Sequence, residues 1–214
     1  KLGYEDASII GRNVIGYIDN AAPLSIVLSA HYDHLGKEEE VFNGANNNAS
    51  GVASLLALAE LIKLNNLRNY NFLFLVFSGS KANHQGVVSF LKDNEKSTFQ
   101  YDCFIDFNML GRYNQVKKQV FVSGVGTNDF WSVLLQKHNK GFQLMVDSAG
   151  IGYGAYSFFY KRNIPVLSFS TGYMSDYAKP SDDVSKINFV GQVDINNYIY
   201  RILSELDKLP KLVF

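Results

Sequence analysis

The chain has 214 residues, of which 47% are hydrophobic and 19% charged, a size and balance that suit one globular domain with a full core. Its twenty basic and twenty acidic residues cancel, which removes the electrostatic argument for binding nucleic acid or an anionic membrane surface. No apolar run approaches the ~18–20 residues of a membrane span, and the single cysteine, Cys103, excludes an intrachain disulfide and reads as a small buried hydrophobe.

In chain order, the first clear element is the apolar run Ser25–Ala30, a strand without alternation, as expected where both faces are covered. The loop AHYDHLG follows and presents His31, Asp33 and His34, then the acidic stretch Glu38–Glu40, a solvated loop. NGANNNASG (Asn43–Gly51) opens a helix over Ser50–Leu64, with Val52, Leu55, Leu56, Ala59 and Ile62 as its inward face, widened by Leu58 and Leu61. Strands are expected at Phe72–Phe77, Cys103–Phe107 and Val166–Ser170, and helices at Asn128–Lys140 and Val193–Leu209, the last turning Ile195, Tyr198, Ile199, Ile202 and Leu206 inward. No repeat or linker divides the chain, so residues 1–214 read as one domain. The alternation of strands and helices predicts an α/β fold, a three-layer α/β/α sandwich on a mostly parallel mixed sheet.

Such sheets place their sites in loops beyond the carboxyl ends of strands. AHYDHLG, NGANNNASG, FSGSKANHQG (Phe77–Gly86), IDFNMLGR (Ile105–Arg112) and TGYMSDYAKPSDD (Thr171–Asp183) all fall there. Tyr153, Tyr156, Tyr173 and Tyr177 lie in or near these loops and are candidate ligand-binding side chains; Tyr32 and Phe42 are weaker ones. Asn46, Asn47 and Asn48 suit turns and helix caps. Asn48-Ala49-Ser50 is formally a glycosylation sequon. His34, His84 and His138 are expected to be exposed. Ser80, next to Lys81 and close to His31, invites a serine-hydrolase reading, which needs a base in reach and an oxyanion hole.

In order and over roughly Asn13 to Val190, these loops resemble the co-catalytic di-zinc aminopeptidases, a family of bacterial leucyl aminopeptidases and aminopeptidase Y whose fold the glutaminyl cyclases share. The resemblance implies that His31 stands at a zinc-ligand position with Asp33 holding its ring. It places Asn47 where a carboxylate would bridge two metals, Ser80 where the general base would be, and Lys81, Asn108 and Ala178 at the remaining ligand positions. A Ser-Asp-His that precedes the fourth strand in many members reads Gly154-Ala155-Tyr156 here. Of five ligand positions only His31 keeps a ligating side chain. Amide oxygens are poor zinc ligands beside carboxylate or imidazole. An ammonium ~4 Å from a divalent ion is repelled by about 8 kcal/mol at an effective dielectric of 20. Zinc is therefore expected to be absent, with Lys81 filling the vacated volume and satisfied by Asp33 or nearby amide carbonyls. The expectation is a catalytically inactive, peptidase-like binding protein for a peptide, small ligand or protein partner. The alternatives are a metal-independent hydrolase through Ser80, or a single-metal peptidase using His31, Asp33 and His34. The compartment stays open, with export from a longer precursor one expectation, since Lys1 is not a methionine.

Overall fold

In a computed structural model, residues 11–96 and 100–212 are described. Strand β2 (Ser25–His31) is the hub. It pairs in parallel with β5 (Asn71–Phe77) on one side and β6 (Tyr101–Phe107) on the other. Its residues alternate cleanly between two cores, with Ile26, Leu28 and Ala30 in one and Val27 in the other. The same division runs through β5, where Phe72 and Phe74 face one core and Leu73, Leu75 and Phe77 the other. Continuous hydrophobicity in these strands thus has the expected cause: a period of two serves two buried faces.

The sheet continues through β9 (Val166–Ser170), parallel to β6, and is flanked by strands that the apolar runs do not reveal. These are β1 (Val14–Ile18), antiparallel to β5, β7 (Gln119–Ser123), antiparallel to β9, and β8 (Gln143–Asp147), parallel to β7. The order is β1-β5-β2-β6-β9-β7-β8, a mixed sheet with mostly parallel pairs. A small hairpin, β3 (Gly36–Lys37) and β4 (Val41–Phe42), stands apart in the loop after β2.

Helices α1 (Ser50–Leu64), α3 (Asp129–His138) and α5 (Phe189–Leu206) cover one face; α2 (Gln85–Asp93) and α4 (Tyr156–Tyr160) cover the other. The three-layer architecture is the one expected, and α5 buries the whole stripe Ile195, Tyr198, Ile199, Ile202 and Leu206. Helix α1 has the expected bounds but a shifted face. It buries Gly51, Ser54, Leu55, Leu58 and Ile62, while Leu56 is 64% exposed. One step of about 100° from Leu55 carries Leu56 out of the stripe, and the small residues Gly51 and Ser54 take the inward positions at the crowded start of the helix. Cys103 is buried and free, and burial pushes its thiol well above its usual range. Among the described residues no helix is long and apolar enough to cross a membrane.

Candidate functional site

The carboxyl ends of β2, β5, β6 and β9 meet the start of α1, and the asparagine run between Gly44 and Ser50 ties them together. Asn48 donates its side-chain amide to the carbonyls of Phe107 (2.9 Å) and His31 (3.3 Å) and accepts the Met109 N–H at 2.8 Å. It is thus a buried strut between β2 and β6, and the sequon it begins is closed to a glycosyltransferase. Asn46 accepts the Gly111 N–H at 2.9 Å, and Ser50 Oγ bonds the Asn46 carbonyl at 2.7 Å while accepting from Leu110 N at 3.0 Å. Asp182, from the loop after β9, takes the backbone N–H groups of Asn46 (2.9 Å) and Asn47 (3.0 Å) on its two oxygens. Gly51 is obligatory: a Cβ there would collide with Asn48 Oδ1 and the Phe107 carbonyl.

Inside this frame lies a cavity of about 250 Å³. Its wall includes His31, Asn47, Ser80, Lys81 and Asn108, so the structure brings together four of the five residues that the resemblance sets at ligand positions and the one it sets at the base. Ala178 is not part of the wall; it follows Tyr177 with a left-handed backbone (φ 56°). Asn47 is the one member of the asparagine run whose side chain is not a strut. Its Nδ2, like Oδ1 of Asn108, is buried without a hydrogen-bond partner. Turn and cap roles thus account for Asn46 and Asn48 but not for Asn47.

His31 Nδ1 is shared by Ser80 Oγ (3.0 Å), the Asp33 carbonyl (3.1 Å) and Asp33 Oδ1 (3.5 Å). A Ser-His-Asp relay requires serine and carboxylate on opposite ring nitrogens; here both sit on one. Burial raises the Asp33 carboxyl pKa, but hydrogen bonds from His31, the Lys81 N–H (3.0 Å) and Ser80 hold it well below the usual carboxylate range. The expected Lys81–Asp33 pairing is therefore made by the backbone of Lys81. Its side chain is exposed and its ammonium lies 5.5 Å from the centroid of Tyr177, stacked on the ring rather than filling the metal volume. A long, strongly hydrated lysine reaches water at the rim at lower cost than it can be desolvated inside.

Of the four tyrosines, Tyr153, Tyr173 and Tyr177 line the cavity; Tyr153 is 92% exposed and the other two rings meet edge-on at 4.9 Å. Tyr156 does not: it is 6% exposed and packs into the core from the first position of α4. Tyr32 donates to the Arg12 carbonyl, and Phe42 lies in the small hairpin, outside the cavity wall. The histidines are less exposed than expected. His84 is a half-buried wall residue tilted against Phe158, and His34 packs over Gly44 with both ring nitrogens buried and unpaired; burial lowers the pKa of each. His138 is half-buried, 3.8 Å from Glu205.

Sequence reasoning misses Asp106. It is buried at the cavity wall, accepts from Ser29 Oγ at 2.5 Å, and burial pushes its carboxyl up to about 6 against the opposing pull of Ser29, His31 and the Phe107 N–H. The signal was an aspartate inside the apolar run Cys103–Phe107, where an unpaired charge would be costly.

The donor set does not fit a pair of metal ions. Among the described residues no group of three or more His, Cys, Asp or Glu side chains could hold a metal, so His31, Asp33 and His34 do not form one. The unpaired atom on Asn47 is an amide donor, the wrong polarity for a cation.

A doubly wound sandwich with His-x-Asp at the end of its hub strand, an asparagine clamp at the start of α1 and a cleft beyond the strand ends defines the class: a zinc-aminopeptidase-like domain. The chain belongs to Peptidase family M28, whose model matches residues 13–202. Solved structures with this fold include the LapA aminopeptidase of Legionella pneumophila (TM-score 0.78, 18% identity, 92% of this chain and 55% of that one). A zinc aminopeptidase of Bacillus subtilis (TM-score 0.73, 17% identity, 94% and 53%) and a Zn-dependent exopeptidase of Parabacteroides distasonis (TM-score 0.73, 15% identity, 90% and 77%) share it. Among curated proteins, the chain is similar to the BOS complex subunit ncln of Danio rerio, 44% identical over 75 residues, which is 33% of this chain and 13% of that protein. It is likewise similar to the human BOS complex subunit NCLN (41% over 75 residues, 33% and 13%) and to nicalin of Caenorhabditis elegans (36% over 98 residues, 44% and 17%). The matched segment is thus less than a fifth of the length of each of these relatives.

Proposed function

We propose that this chain is a catalytically inactive member of the M28 family that works by binding, with an extended peptide segment of a protein partner held in or beside the former cleft. The observation that carries this reading is the wall itself: His31, Asn47, Ser80, Lys81 and Asn108 stand together around one cavity. A neutral amide pair and a rim lysine cannot offset two divalent ions. The cavity is instead suited to peptide groups, since Asn47 and Asn108 offer unspent amides and Tyr153, Tyr173 and Tyr177 offer aromatic faces. The similarity to subunits of a BOS complex supports a protein partner over a free metabolite.

The test is metal analysis of protein purified without chelator, together with a panel of aminoacyl-anilides and a display library of random peptides. The expected result is no stoichiometric zinc, no turnover, and peptide enrichment that is lost in Tyr153→Ala/Tyr173→Ala. Turnover abolished by Asp33→Asn would overturn the inactive reading, and absence of any enrichment would overturn the binding one.

The 3.0 Å contact of Ser80 with His31 favours a second reading, a slow metal-independent hydrolase. It requires covalent labelling of Ser80 by a fluorophosphonate. No labelling is expected, because the carboxylate shares Nδ1 with the serine and leaves no partner to orient the ring for proton transfer.

A further inference from the structure

A second cavity, of about 490 Å³, shares no residue with the cleft. The β6–β7 connection runs from one to the other: Asn108 and Met109 line the cleft, Tyr113 and Gln115 the second cavity. Three cations, Lys118, Lys140 and Arg201, and one carboxylate, Asp194, line it. None of the three cations takes part in an ion pair among the described residues. Exposed lysines are ordinarily just solvated, and Lys118 and Lys140 are exposed.

Arg201 is different. It is half-buried, its Nη2 makes only a long 3.4 Å bond to the His138 carbonyl, and its Nε is buried with no partner. A guanidinium desolvated in this way without a compensating acceptor calls for one. The backbone that carries the lysines is also held in place. Asn114 accepts the Lys118 N–H on its carbonyl (2.7 Å), and Asn139 Oδ1 fixes the turn after Lys140 by accepting from Gly141 (3.1 Å) and Phe142 (2.8 Å). A bond from Gln143 N to the Lys118 carbonyl (2.8 Å) ties the two turns together. Asp194, Asn197 and Arg201 occupy one face of α5 at the i, i+3, i+7 spacing. Tyr113 and Phe142, edge-on at 5.5 Å, supply an apolar wall.

We propose that this cavity binds the phosphate monoester group of a small organic ligand. Three cations against one carboxylate match a dianion. The guanidinium fork and two ammonium ends suit an oxygen-rich tetrahedral anion, and the aromatic edges with Gln115 and Asn197 receive the organic part. The cavity lies within the usual size range of small-molecule sites. The proposal does not depend on what the cleft binds.

Calorimetric titration of the protein with phenyl phosphate, inorganic phosphate, benzoate and phenol tests it. Phenyl phosphate is expected to bind saturably at one site, more tightly than inorganic phosphate or benzoate and with phenol silent, and to weaken as salt rises. Lys140→Gln and Arg201→Gln should each weaken it about tenfold, the size of one lost charge-assisted contact, while Lys37→Gln on the distant β3 should leave it unchanged. Absence of saturation, equal binding of benzoate, or unchanged affinity in Lys140→Gln would each overturn the proposal. Lys140 is exposed, so that variant decides the matter even if Arg201→Gln does not fold.

Discussion

Two regions only a few residues apart behave as opposites. In the frame of the cleft (Asn46, Asn48, Ser50, Asp182) the side-chain groups are hydrogen-bonded, and Gly51 leaves no room for a methyl group. In its centre, Asn47 Nδ2 and Asn108 Oδ1 are buried without partners among the described residues, and Asp106 is a desolvated carboxyl. The frame is built for stability; the centre is left with unsatisfied polar atoms that do not serve stability. The chemistry of such a cleft can therefore change through side chains that the frame does not use.

The largest effect should come from Asn48→Ala. It removes hydrogen bonds to Phe107, His31 and Met109 and strands buried backbone groups, costing about 4 kcal/mol. Urea denaturation checks this, and a loss under ~1 kcal/mol would break the contrast between frame and centre. Gly51→Ala should cost about 3 kcal/mol from overpacking, although alanine is otherwise the better helix former; the same measurement decides it.

Asp106→Asn acts in the other direction and only at higher pH. The folded-state pKa, about 6, lies above the ordinary 3.8, so the protonated form is the one the fold favours. The stability linked to Asp106 is fully present below pH ~4 and is lost as pH rises through about 6. The asparagine variant should therefore match the parent near pH 4 and exceed it by up to about 3 kcal/mol at pH 8, read from thermal melts across that range. A parent-minus-variant difference that is flat with pH would refute the burial argument. Smallest of all, Asn47→Ala should change stability by under ~1 kcal/mol, since its Nδ2 is buried without a hydrogen-bond partner among the described residues. A cost near that of Asn48→Ala would show Asn47 to be a third strut.

Much of the fold was legible because buried parallel strands leave an unmistakable mark. The runs at Ser25, Phe72, Cys103 and Val166 became β2, β5, β6 and β9, and α1 kept its bounds. The edges were not legible. β1 and β8 are largely exposed and β7 buries only alternate residues, so none forms a continuous apolar run. Nor was α2 read, its nine residues lying behind the loop that carries Ser80 and Lys81.

By itself, the sequence determined the order of loops around the site and the side chains they present there, because residue type and spacing fix which ligands can be offered at all. Only the tertiary structure separated Asn47 from Asn46 and Asn48, drew Asp106 into the wall, sent the Lys81 ammonium out to Tyr177, moved Tyr156 into the core and gathered Lys118, Lys140 and Arg201 around one cavity. Those outcomes rest on which polar atoms find partners across distant segments and which stay exposed to water, and spacing along one chain does not encode them.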